Sequence, residues 1–319
     1  MKRQLFLGID TSNYTTSVAV VDAEGVVANI KRPLPVKEGE RGLRQSDALF
    51  AHIKNLPDAL NEAREYISSG ELTAIGVSEK PRNIEGSYMP CFLAGVCAAE
   101  SASAATGAPL YRFSHQCGHI MAALLSSGRV DLIESGFPAF HISGGTTELL
   151  SVRPSSAGFL TQIVGGTSDL NAGQVIDRIG VYMGLRFPAG RELERLALLY
   201  EKKPPKRIPS VKDMTASLSG LENLAISLYE ETADKALVSL FVLTYIGEAI
   251  SKISENYVKK YGDTPFLYAG GVMSNTIIKN MLSSRFDAHF AEPSLSSDNA
   301  VGVAELSRRA YIKRQEQEK

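Results

Sequence analysis

The chain repeats one local pattern, an apolar strand followed by a turn and an antiparallel partner strand, near its start and again near its middle. The first copy is a predicted meander of strands over residues 5–10, 17–22 and 26–30, separated by polar turns. The second copy runs over residues 138–143 and 147–152, with a Gly-Gly turn between its strands. This repetition predicts a duplicated α/β unit.

Helical periodicity occupies much of the chain between these strands. A long amphipathic helix at 235–261 leads into a strand at 265–269, which ends at a second glycine pair, Gly270-Gly271. A strand that ends in a glycine turn before a helix is a common seat for an anion or nucleotide, because backbone N–H groups point at the ligand. Further helices are predicted over 47–67, 91–106 and 169–199, and a short strand over 73–78.

The composition is that of a globular protein without a general affinity for nucleic acid. The 319 residues are 44% hydrophobic, which supports full cores without disulfides, and the net charge of −1 gives no long-range attraction to polyanions. Any RNA contact must therefore be local or come through a partner. The evident cationic cluster lies in and beside a proline-broken loop and consists of Lys202, Lys203, Lys206, Arg207 and Lys212.

Cysteine usage and the N-terminal residues both bear on the compartment. The three cysteines form no CxxC pair, so they indicate neither a disulfide framework nor a cysteine zinc site and fit a reducing cytoplasm. The basic start reaches Asp10 too early for the apolar core of a signal peptide, and no apolar run approaches a membrane span. We therefore expect a cytoplasmic protein with no membrane partner.

His115 and His119 stand four residues apart, the spacing at which two imidazoles share one face of a helix. The pair could hold a metal or be structural. Asp298 offers a third ligand, and two histidines with one carboxylate suit a catalytic zinc or iron, although Asp298 could instead cap the helix that starts near Ala300. Gln116 occupies the position of the glutamate in HExxH, and an amide cannot accept a proton from metal-bound water, so proteolysis is not expected.

Residues at the strand ends are the candidates for nucleotide chemistry. Gly144-Gly145 can cradle a phosphate with its backbone N–H groups. Asp10, at the end of the first strand, is the candidate catalytic residue. It could accept a hydrogen bond from a turn amide, or it could position a hydrated magnesium ion near phosphates, and the residues alone leave both alternatives open.

These motifs resemble those of the TsaD family, the tRNA threonylcarbamoyladenosine transferases of the actin-like ATPase superfold, formerly described as glycoproteases or peptidase family M22. The resemblance is collinear over almost the whole chain. The matching segments are 115–119 with HxxGH, 142–147 with SGGHT, 173–178 with GEAFDK, 187–190 with YPGG, 217–221 with FSFSGLK, 269–275 with GGVxxN and 296–300 with TDNA.

The resemblance implies a role for each candidate site residue. Asp298 would complete a metal site with His115 and His119. The implied cofactors are one divalent metal, iron or zinc, and ATP or an acyl-adenylate, with or without magnesium. The nucleotide-binding residues implied are Ser143, Gly144, Gly145, Thr146, Asp177, Gly190 and Asn275, of which Asp177 would bind ribose and Asn275 adenine.

The chain departs from the family pattern mainly at polar and acidic positions. Tyr14 and Thr15 stand where the family has an acidic pair, Thr146 replaces the histidine after SGG, and Gln174 replaces the glutamate of GEAFDK. The family's DDA is 169–171 here, and its GPG loop is 79–82. Such a pattern is typical of a divergent paralogue that keeps its metal and nucleotide sites but changes its acceptor or rate.

We therefore predict two duplicated actin-like α/β domains facing a cleft. Residues 1–112, with the helix 300–319 packed on them, form the first, and residues 113–299 form the second, with the metal and nucleotide sites and a helical insertion at 166–235. The activity that the resemblance implies is transfer of a threonylcarbamoyl group from an adenylate to tRNA adenosine, with helper proteins or as a homo-oligomer. The alternatives are a small-molecule carbamoyltransferase and a nucleotide- and metal-binding paralogue that scaffolds partners without turnover.

Overall fold

The structure is a computed structural model that describes residues 2–12, 14–35, 43–155, 158–292, 295 and 299–318. Its internal contacts divide the chain into two compact units. Unit 1 comprises residues 1–135, 153–161 and 294–319, and unit 2 comprises residues 136–152 and 162–293. The boundary thus falls after Ser135, whereas the sequence predicts it at residue 112, and His115 and His119 lie in unit 1.

Unit 1 is built on a five-stranded sheet in the order β3-β2-β1-β4-β5. The strand β1 pairs antiparallel with β2 and parallel with β4, and β5 continues the parallel part. These pairings confirm the predicted antiparallel meander and add a parallel half to it. The strands are β1 (Gln4–Asp10), β2 (Thr15–Val21), β3 (Val26–Pro33), β4 (Glu71–Lys80) and β5 (Leu110–Ser114).

Helices cover both faces of this sheet, which is why its central strands are apolar on both sides. On one face α1 and α2 bury a cluster that includes Leu5, Ile9 and Ile75. On the other face a C-terminal helix packs on Phe6 and Ala74. The helices of unit 1 are α1 (Gln45–Ile67), α2 (Phe92–Thr106), α3 (His115–Ser127), α4 (Leu132–Ser135) and the C-terminal helix (Val301–Gln317).

The C-terminal helix lies unusually close to the sheet and to α3. A Cβ atom on Gly8 would be 2.3 Å from the Ala300 carbonyl oxygen, and one on Gly76 would be 2.2 Å from that of Val303. At Gly302 the corresponding distance to the Gly118 carbonyl oxygen is 1.8 Å. Only glycine permits these approaches, and they hold the start of the C-terminal helix against the start of α3.

Unit 2 carries a seven-stranded sheet in the order β12-β11-β6-β7-β8-β10-β9. The strand β6 pairs antiparallel with β7 and parallel with β11, and β11 pairs parallel with β12, so β8-β7-β6-β11-β12 repeats the order of unit 1. The duplication predicted from the sequence is therefore present. The strands are β6 (Phe137–Ile142), β7 (Thr147–Ser155), β8 (Gly158–Thr167), β9 (Ser210–Lys212), β10 (Thr215–Ser217), β11 (Phe266–Ala269) and β12 (Ala288–Phe290).

The core of unit 2 centres on its longest helix, which is also the most apolar. This helix has an 18-residue stretch of mean hydropathy 1.6, so it is long and apolar enough to cross a membrane, but 72% of that stretch is buried inside the protein. A buried core helix of a globular unit meets the same criteria. The helices are α5 (Ala172–Tyr182), α6 (Gly190–Ala197), α7 (Ser219–Thr232), α8 (Lys235–Tyr261), a 3₁₀ turn (Gly271–Ser274) and α9 (Thr276–Ser283), of which α8 is the core helix.

Candidate functional site

The two histidines of HxxGH lie together at the N-terminus of α3. The Ser114 side chain caps this helix by accepting a hydrogen bond from the Cys117 N–H at 3.2 Å, so the helix begins at His115 directly after β5. The i, i+4 spacing predicts that the pair shares a helix face. It does: the ring centroids of His115 and His119 are 4.2 Å apart, with their planes at 76°.

Asp10 orients the first of these imidazoles. Its Oδ2 lies 2.8 Å from Nδ1 of His115 and 2.6 Å from the Ser78 hydroxyl, and its Oδ1 accepts from the N–H of Ser12 at 2.8 Å and from the Ser12 hydroxyl. A carboxylate only accepts, so the hydrogen bond places the His115 proton on Nδ1 and leaves the Nε2 lone pair for coordination. Metal-binding histidines usually have such a partner.

The Asp10 carboxylate is fully buried, and its four acceptor positions are all engaged. Burial alone would raise the pKa of Asp10, but the electrostatic and hydrogen-bonding contact with His115 and the hydrogen bonds from Ser12 and Ser78 hold that pKa below its usual range. The carboxylate is thus ionised and anchored. This geometry realises the turn-amide alternative for Asp10 and adds the contact with His115, and its catalytic role stays a prediction.

These donors fit a divalent transition metal, because two imidazoles on one helix face, one of them oriented by a buried carboxylate, are a common ligand arrangement. The described residues contain no group of three His, Cys, Asp or Glu side chains that could hold a metal on its own. The third predicted ligand, Asp298, lies outside the described residues. After it, Asn299 accepts from the Val301 N–H at 3.1 Å, at the start of the helix that crosses α3.

In unit 2, the glycine turn 143–146 joins β6 to β7 and closes on itself. Ser143 donates its N–H to the Thr146 carbonyl at 2.8 Å. Among the described residues, no heavy atom lies within 4 Å of where a Cβ would stand on Gly144 or Gly145. The turn therefore has room beside its backbone for a ligand.

The N-terminus of α5 lies against this turn. A Cβ on Gly173 would be 2.5 Å from the Ser143 carbonyl oxygen, and the Ala172 N–H donates to the Thr147 hydroxyl at 2.9 Å. The Asn171 amide donates to the Gly145 carbonyl at 3.0 Å. A glycine turn beside a helix N-terminus attracts anions, because unpaired N–H groups and the helix dipole act together.

The second glycine turn is adjacent to the first because β6 and β11 are neighbouring parallel strands. Gly270 has φ of 98°, and a Cβ there would lie 2.3 Å from the Ile142 carbonyl oxygen, so glycine is required. The turn leads to Asn275, whose side chain caps α9 by accepting from the Ile278 N–H at 3.1 Å. The structure thus brings both turns to the same edge of the sheet.

Asp177 is joined by one hydrogen bond to Ala189, the residue before Gly190. The Asp177 Oδ1 accepts from the Ala189 N–H at 2.7 Å, directly before Gly190 begins α6. Burial raises the pKa of Asp177, and this hydrogen bond opposes the rise. The second oxygen, Oδ2, is the atom that a ribose hydroxyl could approach. The role of each nucleotide residue stays a prediction.

Two acids, Asp169 in the 169–171 segment and Glu194, which lies in no motif, cap helices of unit 2. The Asp169 carboxylate accepts from the N–H groups of Leu218 and Ser219 at 2.8 and 3.1 Å, at the start of α7. Glu194 accepts from both the N–H and the hydroxyl of Thr276 at 2.7 and 2.6 Å, at the start of α9. Both are helix caps contributed from distant sequence, so no local spacing could reveal them.

The departures from the family pattern also have structural counterparts. Gln174 accepts from the Asn171 N–H at 3.0 Å and completes a capping box, a role that an amide fills as well as a carboxylate. Tyr14, which replaces an acid, is 46% exposed. Neither position is buried, so nothing in the fold requires the lost charges.

The comparisons with known proteins agree with the motifs. The sequence model of the family described as TsaD, tRNA N6-adenosine threonylcarbamoyltransferase, matches residues 35–305. A protein of that name from Streptococcus suis (strain 05ZYH33) is 30% identical over 321 residues, which cover 95% of this chain and 91% of the relative. One from Neorickettsia sennetsu is 29% identical over 317 residues, covering 95% and 93%.

Solved structures show the same fold at low identity. A full-length HypF in a phosphate- and nucleotide-bound form aligns with a TM-score of 0.61 at 10% identity, over 98% of this chain and 56% of that longer chain. The component A of (R)-2-hydroxyglutaryl-CoA dehydratase from Acidaminococcus fermentans aligns with a TM-score of 0.56 at 13% identity, over 98% and 100%. These neighbours are proteins of the actin-like ATPase fold, which confirms the predicted fold class.

Proposed function

Because the chain belongs to the TsaD family, the tRNA N6-adenosine threonylcarbamoyltransferases, we propose that it transfers a threonylcarbamoyl group from an adenylate donor to a tRNA adenosine. The observation that carries this proposal is the hydrogen bond by which a buried carboxylate orients the histidine pair. Asp10 holds His115 at 2.8 Å in the tautomer that presents Nε2, and His119 lies beside it. A merely structural pair would not need a buried carboxylate to fix the tautomer of one ring.

Within this proposal His115, His119 and Asp298 hold one divalent metal, iron or zinc. When bound, the metal supplies a Lewis acid that polarises a carbonyl oxygen of the donor. Asp10 does not touch the donor but keeps His115 in its coordinating orientation. We assign Asp10 as a positioning residue because its four acceptor positions are already occupied by groups of the fold.

The turn at Gly144-Gly145 and the N-terminus of α5 hold the phosphate of the adenylate with backbone N–H groups. Asp177 receives a ribose hydroxyl on Oδ2, and the buried Asn275 lies at the second glycine turn, where the base would bind. All of these residues belong to one sheet edge of unit 2 and its flanking helices. The nucleotide identity, ATP or an acyl-adenylate, is part of the proposal.

A second candidate is a paralogue that binds metal and nucleotide but does not turn over. Its support is the loss of acidic groups at Tyr14, Thr15 and Gln174, because one well-positioned group is commonly worth about two orders of magnitude in rate. The small-molecule carbamoyltransferase remains a further alternative. In each case we place the protein in the cytoplasm, working with helper proteins or as a homo-oligomer.

A transfer assay with synthesised threonylcarbamoyl-adenylate and unmodified tRNA tests the proposal, with and without helper proteins of the same cell. We expect modified adenosine from the wild-type protein when helpers are present and none from the His115→Ala variant. His289→Ala is the matched control, because it removes a histidine of β12 that belongs to neither predicted site. Donor binding without transfer would favour the inactive paralogue, and carbamoylation of a metabolite pool would favour the small-molecule enzyme.

A further inference from the structure

We propose that the exposed segment 202–212 of unit 2 is the surface through which the chain binds the phosphate backbone of RNA, an inference that rests on the proposed function. The eleven residues contain five cations and no acid, in a chain whose net charge is −1. The cations are Lys202, Lys203, Lys206, Arg207 and Lys212, and all five side chains are exposed. We call this segment the basic segment.

The cations of the basic segment do not neutralise acids of the described fold. Within the described ranges, none of the five forms an ion pair at 4.0 Å or less, and Glu248, the acid that feels the charge of Lys206, pairs with Arg285 instead. A surface whose cations are not neutralised has a local positive field, although the chain as a whole is nearly neutral. Phosphate groups are the ligands that such a field attracts most strongly.

The basic segment runs beside α8. The hydrogen bond from Arg285 lowers the pKa of the Glu248 carboxyl, and the nearby charge of Lys206 adds to this effect. Lys206 and the exposed Arg285 thus lie on the same side of unit 2, around one acid. Arg285 already neutralises this acid, so the positive charge of Lys206 is not cancelled by Glu248.

The C-terminal part of the basic segment is anchored and two prolines restrict the rest of its backbone, which lowers the entropy cost of binding. Pro204 and Pro205 restrict its backbone, and the buried Pro209 anchors its middle. Val211 packs against the core of unit 2, and the Asp213 carbonyl accepts from the Asn256 amide at 2.5 Å just beyond its end. An ordinary solvated lysine run needs no such anchoring.

A protein partner is the rival occupant, because Ile208 is 80% exposed within the segment. The charges favour RNA. A single exposed apolar side chain among five cations is too small a patch for a protein anchor, which usually buries a cluster of apolar and aromatic residues. RNA binding needs only the cations, and the proposed substrate supplies one phosphate per nucleotide.

The test is binding of unmodified tRNA to the full-length protein by fluorescence anisotropy between about 50 and 200 mM salt, where binding through phosphates weakens most visibly. The variant Lys202→Gln, Lys203→Gln should bind more weakly, and its salt slope should fall by about 0.7–0.9 for each phosphate that the variant no longer neutralises. The matched control is Lys259→Gln, Lys260→Gln. This pair removes the same charge from exposed positions at the end of α8 and should change neither quantity.

Adenylate binding, followed by thermal shift in the same variants, separates this inference from the proposed function. Wild-type affinity and slope in the Lys202→Gln, Lys203→Gln variant would overturn the basic segment as an RNA surface while leaving the function standing. The same follows if that variant loses only its association with helper proteins, which would make the segment a protein-binding surface. If the wild-type chain itself does not bind tRNA at the lowest salt, with or without helpers, both proposals fall.

Discussion

Asp10 and His115 are 105 positions apart in sequence, yet the carboxylate Oδ2 of one lies 2.8 Å from the imidazole Nδ1 of the other. The contact forms because β1 and β4 are neighbouring strands and β5, which pairs with β4, runs directly into α3. The adjacent strands β1, β4 and β5 thus place Asp10 beside the first histidine of the predicted metal site. This contact is the basis of the first prediction.

Replacing Asp10 by asparagine should weaken metal binding about 10- to 100-fold, the usual effect of removing the partner of a metal-binding histidine. The amide cannot hold the Nδ1 proton as a carboxylate does, so the Nε2 lone pair is no longer presented in a fixed orientation. Zinc titration against a chromophoric chelator measures the affinity. The control is Asp22→Asn, another buried acid of unit 1, which accepts from Glu24 and Gly25 instead. Equal metal affinity in both variants would remove Asp10 from the site.

Gly302→Ala should destabilise unit 1 by about 1–3 kcal/mol, the usual cost of overpacking, because its Cβ would stand 1.8 Å from the Gly118 carbonyl oxygen. Separation of α3 from the C-terminal helix should also displace His119, which lies on α3, and so lower the metal content. Urea unfolding and metal content are the two measurements. Gly220→Ala, in an open position on α7, should be neutral or stabilising by up to about 1 kcal/mol. Equal stability of the two variants would contradict the close helix crossing.

Gly145→Val should abolish stabilisation by ATP or an AMP-like ligand without unfolding the protein. Nothing described lies within 4 Å of the new Cβ, so the side chain fills only the space that a phosphate would take. A ligand at 100 times its dissociation constant stabilises the wild-type fold by about 2.7 kcal/mol, a clear shift in melting temperature. Gly173→Ala is the contrasting variant: its Cβ would collide with Ser143, so it should lower stability even without ligand. A full ligand shift in the Gly145→Val protein would mean that the phosphate binds elsewhere.

Asp169 should contribute stability that depends on pH. Burial tends to raise the pKa of Asp169, but hydrogen bonds from Leu218, Ser217 and Ser219, where β10 leads into α7, outweigh it and hold the pKa far below its usual range. A carboxyl with a lowered folded pKa contributes fully above its unfolded pKa of about 3.9, and the contribution declines as the pH falls below that value.

The difference in stability between wild type and Asp169→Asn, followed over pH, tests the direction of this pH dependence. The variant should lose about 1 kcal/mol at pH 7, as expected for a helix cap, and the difference should shrink as the pH approaches 3. Urea unfolding from pH 3 to 7 gives both values. A constant or growing difference at low pH would show that the carboxylate charge does not cap α7.

Much of the local structure can be predicted from the sequence alone. The apolar runs around residues 5–10 and 138–143 and the turns after them are set by short-range alternation and by glycine, so the duplicated meander is accessible without the structure. The His115 and His119 spacing also needs only helical geometry. The predicted bounds of the long helix, 235–261, are those that α8 has in the structure.

Some predictions of local structure need correction. The spacing of the histidine pair does not fix where its helix starts, and α3 begins at His115 itself because β5 runs up to the capping Ser114. The predicted helical stretch 169–199 is two helices, α5 and α6, separated by the turn that contains the 187–190 motif. In both cases the glycine, proline or capping residue that ends an element outweighs a weaker periodic pattern.

Local sequence is enough to specify the repeated strand pattern, the two glycine turns and the residue types able to hold a metal and a phosphate, because each depends on neighbours within a few positions. The distant groups that contact these residues follow from the tertiary packing. Ser78 and His115 converge on Asp10, Gly302 meets Gly118, and Asp169 and Glu194 cap helices far along the chain. These contacts depend on strand order and helix crossings, which are properties of the whole packed unit and leave no local pattern in the sequence.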